Sequence, residues 1–459
     1  MLAAKYKVSL YPVSTGLNWG YGEANPTSSN SVVINLSRMN KIISVNRDLA
    51  YAVVEPGVTQ GQLAAYLTEN KVPLQVDATG SSPECSLLGN ALERGFSLGP
   101  YGDHWLYVTK IEAVLADGTL IKMQDCENSP EEHSLAYRWG LGPDLHNLFA
   151  QSNFGIVTKA CLLLHPKKQT SIGGFASISE DKFKSTIDAL RTLCLDKDII
   201  PSFTILNQAR LNAMNSDLAH QQDTSDKWGM FFGIYGDDAL AKSKVKIAKS
   251  ILHPLSDKLF FASGKRIATL LQFKKLLGRF ISSKVLDNLN MIQSGMEILS
   301  GLPNKNALTM VYNLSETPLP NNGDLNPSRD NCGLMWHSVV LPMTGTAAAK
   351  VVSLVRSLHK DFPAAHLPSI SFVGCGQRAM VATIPFIFNK GNEAQTQETI
   401  KFHDKAEDVL KAEGFMPYRL SNQGMGKYFD GSRSNEKVAA KIKSALDPEN
   451  IISPGRYSR

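Results

Sequence analysis

The stretch Tyr11-Pro12-Val13-Ser14-Thr15-Gly16-Leu17-Asn18-Trp19-Gly20-Tyr21-Gly22 decides how the chain is read. An apolar run over 8–13 enters a turn that carries three glycines and a Ser-Thr pair. Glycine lets backbone N–H groups come close to a ligand, and a nest of such groups suits a pyrophosphate. An ordinary turn after a strand has the same composition. The surroundings decide between the two.

Moving outward, the β-branched run at 31–36 reads as a buried strand. Residues 42–45 and 51–54 read as two strands joined at Asn46-Arg47-Asp48. Thr59 opens a helix over 60–70 with Leu63, Ala64 and Leu67 at helical spacing. The segment 86–94 mixes small, polar and apolar residues, and its Gly89-Asn90 can sit against a ligand. A hairpin over 108–122 turns at Ala116-Asp117-Gly118. A short helix at 144–149 precedes a second polar turn, Gln151-Ser152-Asn153-Phe154-Gly155, which feeds a strand over 157–164.

From about residue 171 the texture changes. Helical patterns at 179–195, 239–252, 346–362 and 393–414 alternate with strand-like runs at 228–235, 308–312, 338–341 and 380–388. That alternation predicts an α+β unit, an antiparallel sheet with helices on one face. The Pro- and Asn-rich segment 314–332 reads as a surface loop, and 434–446 as a helix stopped by Asp447-Pro448.

Composition narrows the class. The 459 residues are 43% hydrophobic and 20% charged, as in an ordinary globular protein of two or three domains. A net charge of +6 does not argue for nucleic acid at this length. No apolar run reaches the ~18 residues of a membrane span. The six cysteines, Cys85, Cys126, Cys161, Cys194, Cys332 and Cys375, are scattered without CxxC or His/Cys clustering. They read as reduced thiols of a cytoplasmic protein, with no metal site and no disulfide framework. The basic amphipathic stretch 270–286 fits a solvated cap helix better than an interfacial one.

Several motifs stand in one order along the chain. After Gly16…Asn18…Gly20-Tyr21-Gly22 come Asn35-Leu36-Ser37-Arg38-Met39-Asn40 and Tyr51-Ala52-Val53-Val54-Glu55-Pro56-Gly57-Val58. Leu88-Gly89-Asn90-Ala91-Leu92-Glu93-Arg94-Gly95, Pro100-Tyr101-Gly102-Asp103-His104-Trp105 and Gln151-Ser152-Asn153-Phe154-Gly155-Ile156-Val157-Thr158 follow. The chain closes on Leu446-Asp447-Pro448-Glu449-Asn450-Ile451-Ile452-Ser453-Pro454-Gly455-Arg456. Together they resemble the FAD-linked oxidase family, with its PCMH-type FAD-binding domain. They are most similar to the branch of 4-cresol dehydrogenase and vanillyl-alcohol oxidase.

The resemblance implies a two-domain fold: an FAD-binding domain over 1–168, an α+β substrate cap over 169–412, and a C-terminal segment over 413–459 returning to the FAD domain. It also implies a first βαβ unit before the position of Met1, which the chain as given lacks. FAD contacts are implied at Ser14, Thr15, Gly16, Leu17, Asn18 and Gly20, at Ser86 and Gly89, at Asn153, Ile156 and Val157, and at Arg419 and Arg456. Tyr21 and Tyr418 match two tyrosines that grip a phenol oxygen in the family, with Arg419 beside them. A fixed cation and two donors favour the ionised phenol. Half-buried core tyrosines and a surface ion pair are the plainer reading of the same three residues. Asp103 matches a cavity aspartate, or caps the next segment. Arg378 aligns roughly with a cavity residue.

Two departures stand out. The family has a carboxylate near the flavin's reactive edge, whereas Asp77-Ala78-Thr79-Gly80-Ser81-Ser82-Pro83-Glu84-Cys85 has no aspartate in register. Asp77 or Glu84 substitutes, or nothing does. Val381-Ala382 stand where a flavin-linking histidine would be, so FAD is expected to bind non-covalently. Cys85 reads as a small buried thiol rather than a flavin ligand. The expected activity is hydride transfer from a para-substituted phenol or related alcohol to FAD, with O2 or a redox protein as acceptor. Alternatives are a non-phenolic alcohol, a 2-hydroxy acid or a biosynthetic intermediate as substrate, or a non-catalytic, partner-dependent subunit. A homo-oligomer is compatible with all of these.

Overall fold

The computed structural model describes residues 2–122, 131–220, 227–264, 266, 267, 269, 272 and 283–458. The amphipathic stretch expected over 270–286 lies mostly outside the described residues. The strands Ser9–Val13 and Ser31–Asn35 pair in parallel. The C-terminal tail joins them: Leu10 N–H donates to the Ile451 carbonyl at 2.6 Å, and Ser453 N–H to the Leu10 carbonyl at 2.8 Å. The strand Ser31–Asn35 is not buried as its β-branched run implied. Val32 and Val33, on opposite faces of the strand, are both half-exposed.

Beside this pair lies a five-stranded antiparallel sheet in the order Ile42–Asn46, Tyr51–Val54, Ile156–Leu163, Val108–Val114, Leu120–Ile121. Its first turn forms because Asn46 Oδ1 accepts from the N–H groups of Asp48 and Leu49 at 3.0 and 2.8 Å. The helices Gln60–Glu69 and Leu87–Leu92 pack their apolar residues against this sheet.

Eight strands build the second sheet, in the order Lys258–Ser263, Thr170–Ser179, Lys227–Gly236, Phe203–Asn207, Ser371–Cys375, Ala379–Phe388, Gly333–Pro342, Met416–Pro417. All neighbours run antiparallel. Period-two alternation assigns the faces. Phe203, Ile205, Met230, Phe232, Val339 and Phe372 point into a core shared with the helices Glu180–Arg191, Asp238–Leu252, Gly345–His359 and Glu393–Ala412. Their neighbours Thr204, Leu206, Phe231, Ser338, Ser371 and Val373 face the first domain across a cavity. Three of the helices begin on side-chain caps, Asp237, Thr344 and Asn392.

One expected strand is a helix. Residues 308–312 lie in the turn Asn306–Leu308 and the helix Thr309–Leu314. Met310, Val311, Tyr312 and Leu314 are all buried, so the run shows no helical periodicity.

Candidate active site

The cavity between the two sheets measures about 1470 Å³, larger than the ~300–1,000 Å³ of most ligand pockets. At one end Ser14, Thr15, Gly16, Leu17 and Asn18 line it, as do Ser86, Gly89, Asn153, Ile156 and Val157. Among the described residues nothing accepts a hydrogen bond from the N–H groups of Thr15, Gly16, Leu17 or Asn18. The segment 86–94 holds the helix Leu87–Leu92, capped by Ser86 Oγ accepting from Gly89 N–H at 2.8 Å. A Cβ at Gly89 would lie 2.3 Å from Ser14 Oγ, so glycine is what lets this helix meet the loop. Asn153 is held by its amide nitrogen, which donates to the Ser453 carbonyl and Ser458 Oγ at 3.1 and 2.8 Å. Its Oδ1 is buried without a partner.

Tyr21, Tyr418 and Arg419 also come together on this wall. Tyr418 is placed by the sheet edge, its N–H donating to the Ser338 carbonyl at 3.1 Å. Tyr21 is placed by the glycine turn, its carbonyl accepting from Asn422 N–H at 3.1 Å. The Tyr21 hydroxyl lies 3.0 Å from Ser338 Oγ. The Arg419 guanidinium sits 4.2 Å over the Tyr21 ring and 5.3 Å from the Tyr418 ring. Burial alone would make Arg419 easier to deprotonate, but Tyr418, Tyr21 and Glu93 outweigh it and hold the charge. Burial pushes the Tyr418 hydroxyl up, with Arg419 opposing. Arg419 Nε has no partner.

Two residues of this region were missed in the sequence. Glu93 forms an ion pair with Arg456 and accepts from the Tyr457 hydroxyl at 2.9 Å. Burial would raise its pKa, yet Arg456 and Arg419 hold its carboxyl below the ordinary range. Arg210 lines the cavity from the cap, 5.4 Å from the Trp336 ring. Both Nε and Nη1 are buried without a partner, and burial pulls its pKa down to about 10. Glu93 stands inside a quoted motif, whereas nothing in the pattern marked Arg210.

Several expected placements differ. Asp103 is not on the cavity wall: its Oδ1 accepts from Trp105 and Leu106 N–H at 3.0 and 3.4 Å, capping the turn Trp105–Tyr107. Gly20 does not line the cavity either. At φ +74 it packs on Trp336, 2.4 Å from where its Cβ would be. Arg456 lines the cavity, but its guanidinium is engaged by Glu93 and by Tyr11 Oη at 2.5 Å. Arg378 is exposed in a hairpin turn. Ala78, Thr79, Gly80, Ser81 and Cys85 face the cavity, and neither Asp77 nor Glu84 does. Asp77 accepts from Tyr101 N–H at 2.7 Å, and Glu84 pairs with Lys305 at 3.0 Å. The Cys85 thiol is buried and pushed up by that burial. Away from the cavity, His403, Asp404 and Glu407 lie close enough to share a cation. The Lys427 ammonium already occupies that place, 2.6 Å from Glu407 and 3.7 Å from Asp404.

Residues 1–124 match the model of an FAD binding domain. The chain is 31% identical over 480 aligned positions to 1'-carboxy-chondrochloren decarboxylase of Chondromyces crocatus, covering 99% of this chain and 87% of that protein. The chain belongs to the FAD-linked oxidase family. A second member, the flavoprotein subunit of 4-cresol dehydrogenase from Pseudomonas putida, is 27% identical over 98% of this chain and 83% of its own length. The fold matches that of 4-ethylphenol oxidase from Gulosibacter chungangensis with a TM-score of 0.84, at 23% identity, over 100% of this chain and 86% of that one.

As a member of the FAD-linked oxidases the chain is an FAD-dependent oxidoreductase with a PCMH-type fold. The residues present fit the cofactor. Free N–H groups at 15–18, the close approach at Gly89 and the unpartnered Asn153 Oδ1 supply the donors, shape and acceptor that a dinucleotide needs. Among the described residues no helix is long and apolar enough to cross a membrane.

Proposed function

We propose that this FAD-linked oxidase oxidises a para-substituted phenol or a related alcohol. The observation that carries the reading is Arg419, a charged, half-buried guanidinium stacked on Tyr21 and beside Tyr418 in the cavity wall. The two hydroxyls donate to the phenol oxygen, and Arg419 stabilises it as the anion. A phenolate held this way pushes electron density through the ring to its para position, which favours loss of hydride from the substituent carbon attached there. Bound FAD supplies the two-electron acceptor. The residues orient the ring, exclude water and stabilise charge. The Chondromyces relative is named for removing a carboxyl group, which keeps a carboxylated substrate within this reading.

Attachment of FAD is non-covalent in this reading. Val381 and Ala382 are buried in the cap sheet, and among the described residues no histidine lines the cavity. Acid precipitation is expected to leave the yellow colour in solution. A second reading, a non-phenolic alcohol or 2-hydroxy acid, is favoured by the absence of a carboxylate on the wall at 78–81. Anaerobic mixing separates the two. Bleaching of bound FAD by 4-alkylphenols and not by 2-hydroxy acids supports the phenol, and the reverse pattern selects the second reading.

A further inference from the structure

We propose that Arg210 binds a carboxylate on the substrate's side arm, so that the preferred substrate is a phenol carrying an acidic tail. This rests on the phenol reading above. Arg210 sits on the short helix Gln208–Ala213, which begins where Asn207 Oδ1 accepts from Arg210 N–H at 3.0 Å. Its residue is 8% exposed, and its Nε and Nη1 have no partner. Among the described residues no carboxylate forms an ion pair with it, whereas Arg456 on the same cavity is paired to Glu93. A buried cation without a counter-charge opposes folding. Arg210 lines the cavity, and the planar fork of a guanidinium matches a carboxylate with two parallel hydrogen bonds.

The neighbours place this cation on the substrate's side. Arg210 lies 5.4 Å from the Trp336 ring. That ring stacks on Tyr21 with centroids 6.5 Å apart and planes 9° from parallel. Tyr21 in turn carries Arg419 at 4.2 Å. Two guanidiniums therefore end a row whose middle is two parallel aromatic rings. One end holds the phenol oxygen, and the other is left for a second anion on the same molecule. The Trp336 face steadies the Arg210 fork by cation–π attraction without neutralising it. Asn153 and Arg456 belong to another cluster, with Glu93, Ser453 and Tyr457, which reaches Arg419 and not Arg210.

The test uses the FAD-loaded protein and two probes of similar size, 3-(4-hydroxyphenyl)propanoate and 4-propylphenol. Anaerobic difference spectra of the flavin give both dissociation constants. The wild type is expected to bind the acid at least about ten-fold tighter than the neutral phenol. Arg210→Met is expected to collapse that ratio to about one, and Arg210→Lys to restore part of it. The thermal midpoint of Arg210→Met is expected to equal or exceed the wild type's, since an uncompensated buried charge is removed. Equal binding of the two probes by the wild type overturns the inference alone. So does a loss of FAD from Arg210→Met, which would place the cation on the cofactor's phosphates. If neither probe binds, the phenol reading falls and this inference falls with it.

Discussion

Arg419 and Arg210 both line one cavity, the first half-buried and the second buried, and they differ in what surrounds them. Arg419 has Glu93 and two phenols around it, while Arg210 has the Trp336 ring and, among the described residues, no ion-pair partner. The sequence showed the first because Tyr21, Tyr418 and Arg419 stand in motifs with a fixed order. It did not show the second, since an arginine's lack of a partner is a fact of three dimensions. Asp103 was left between two readings for the same reason: Gly-Asp-His fits a cavity wall and a turn cap equally, and the two N–H groups it accepts from decide for the cap. Asp77 shows how burial acts on one carboxyl. Burial raises its pKa from 3.8 to about 6 against the Tyr101 N–H that stabilises its charge, and its Oδ1 has no partner. The folded state thus favours the protonated form. That contribution is complete below the unfolded value and is lost as pH rises through about 6. Asp77→Asn is therefore expected to stabilise the protein at pH 7 by about 2–3 kcal/mol. Its urea midpoint should converge with the wild type's near pH 4; parallel curves over that range would contradict this account.

At the scale of elements, the tail helix Ser434–Leu446 locks the phosphate end of the site. Lys443 is buried and donates to the carbonyls of Asn153 and Ile452 at 2.7 and 2.9 Å and to Asp447 Oδ2 at 2.5 Å. Asp447 also accepts from Ile451 and Ile452 N–H, fixing the segment that pairs with Leu10. Lys443→Met would strand a buried carboxylate, and a loss of about 3–5 kcal/mol is expected in denaturant unfolding. A change under ~1 kcal/mol would show that the ammonium is not what holds the tail. The cap helices at 179–195, 239–252, 346–362 and 393–414 were legible, three of them with Asp, Thr and Asn caps. Of the eight cap strands only those at 228–235, 338–341 and 380–388 were read, and Thr170–Ser179, Phe203–Asn207, Lys258–Ser263, Ser371–Cys375 and Met416–Pro417 were not. Other exceptions have physical causes. The run at 308–312 is buried on every side and loses its helical signature. The strand Ser31–Asn35 has a core-like composition but is partly exposed on both faces. Six residues after Ser86 form a helix too short to display a period.

For the whole molecule, the cavity takes its wall from both sheets, so a bound dinucleotide ties the two halves together. FAD at about 100 times its dissociation constant is expected to add ~2.7 kcal/mol to unfolding. It should raise the transitions of both halves together in scanning calorimetry. A shift confined to one of two separate transitions would show that the cofactor touches only one half. The α+β cap was readable from alternating helical and strand-like runs. The division of labour between the sheet's two faces was not, because period two gives two faces without saying which meets a ligand. The central claim is that Tyr21, Tyr418 and Arg419 hold a phenol as its anion. The most direct measurement is the absorption spectrum of 4-hydroxybenzaldehyde bound to the FAD-loaded protein, at a pH well below the pKa of the free phenol. The account predicts the phenolate band on binding in the wild type and its loss in Arg419→Ala. A neutral-phenol spectrum in the bound wild type would contradict it.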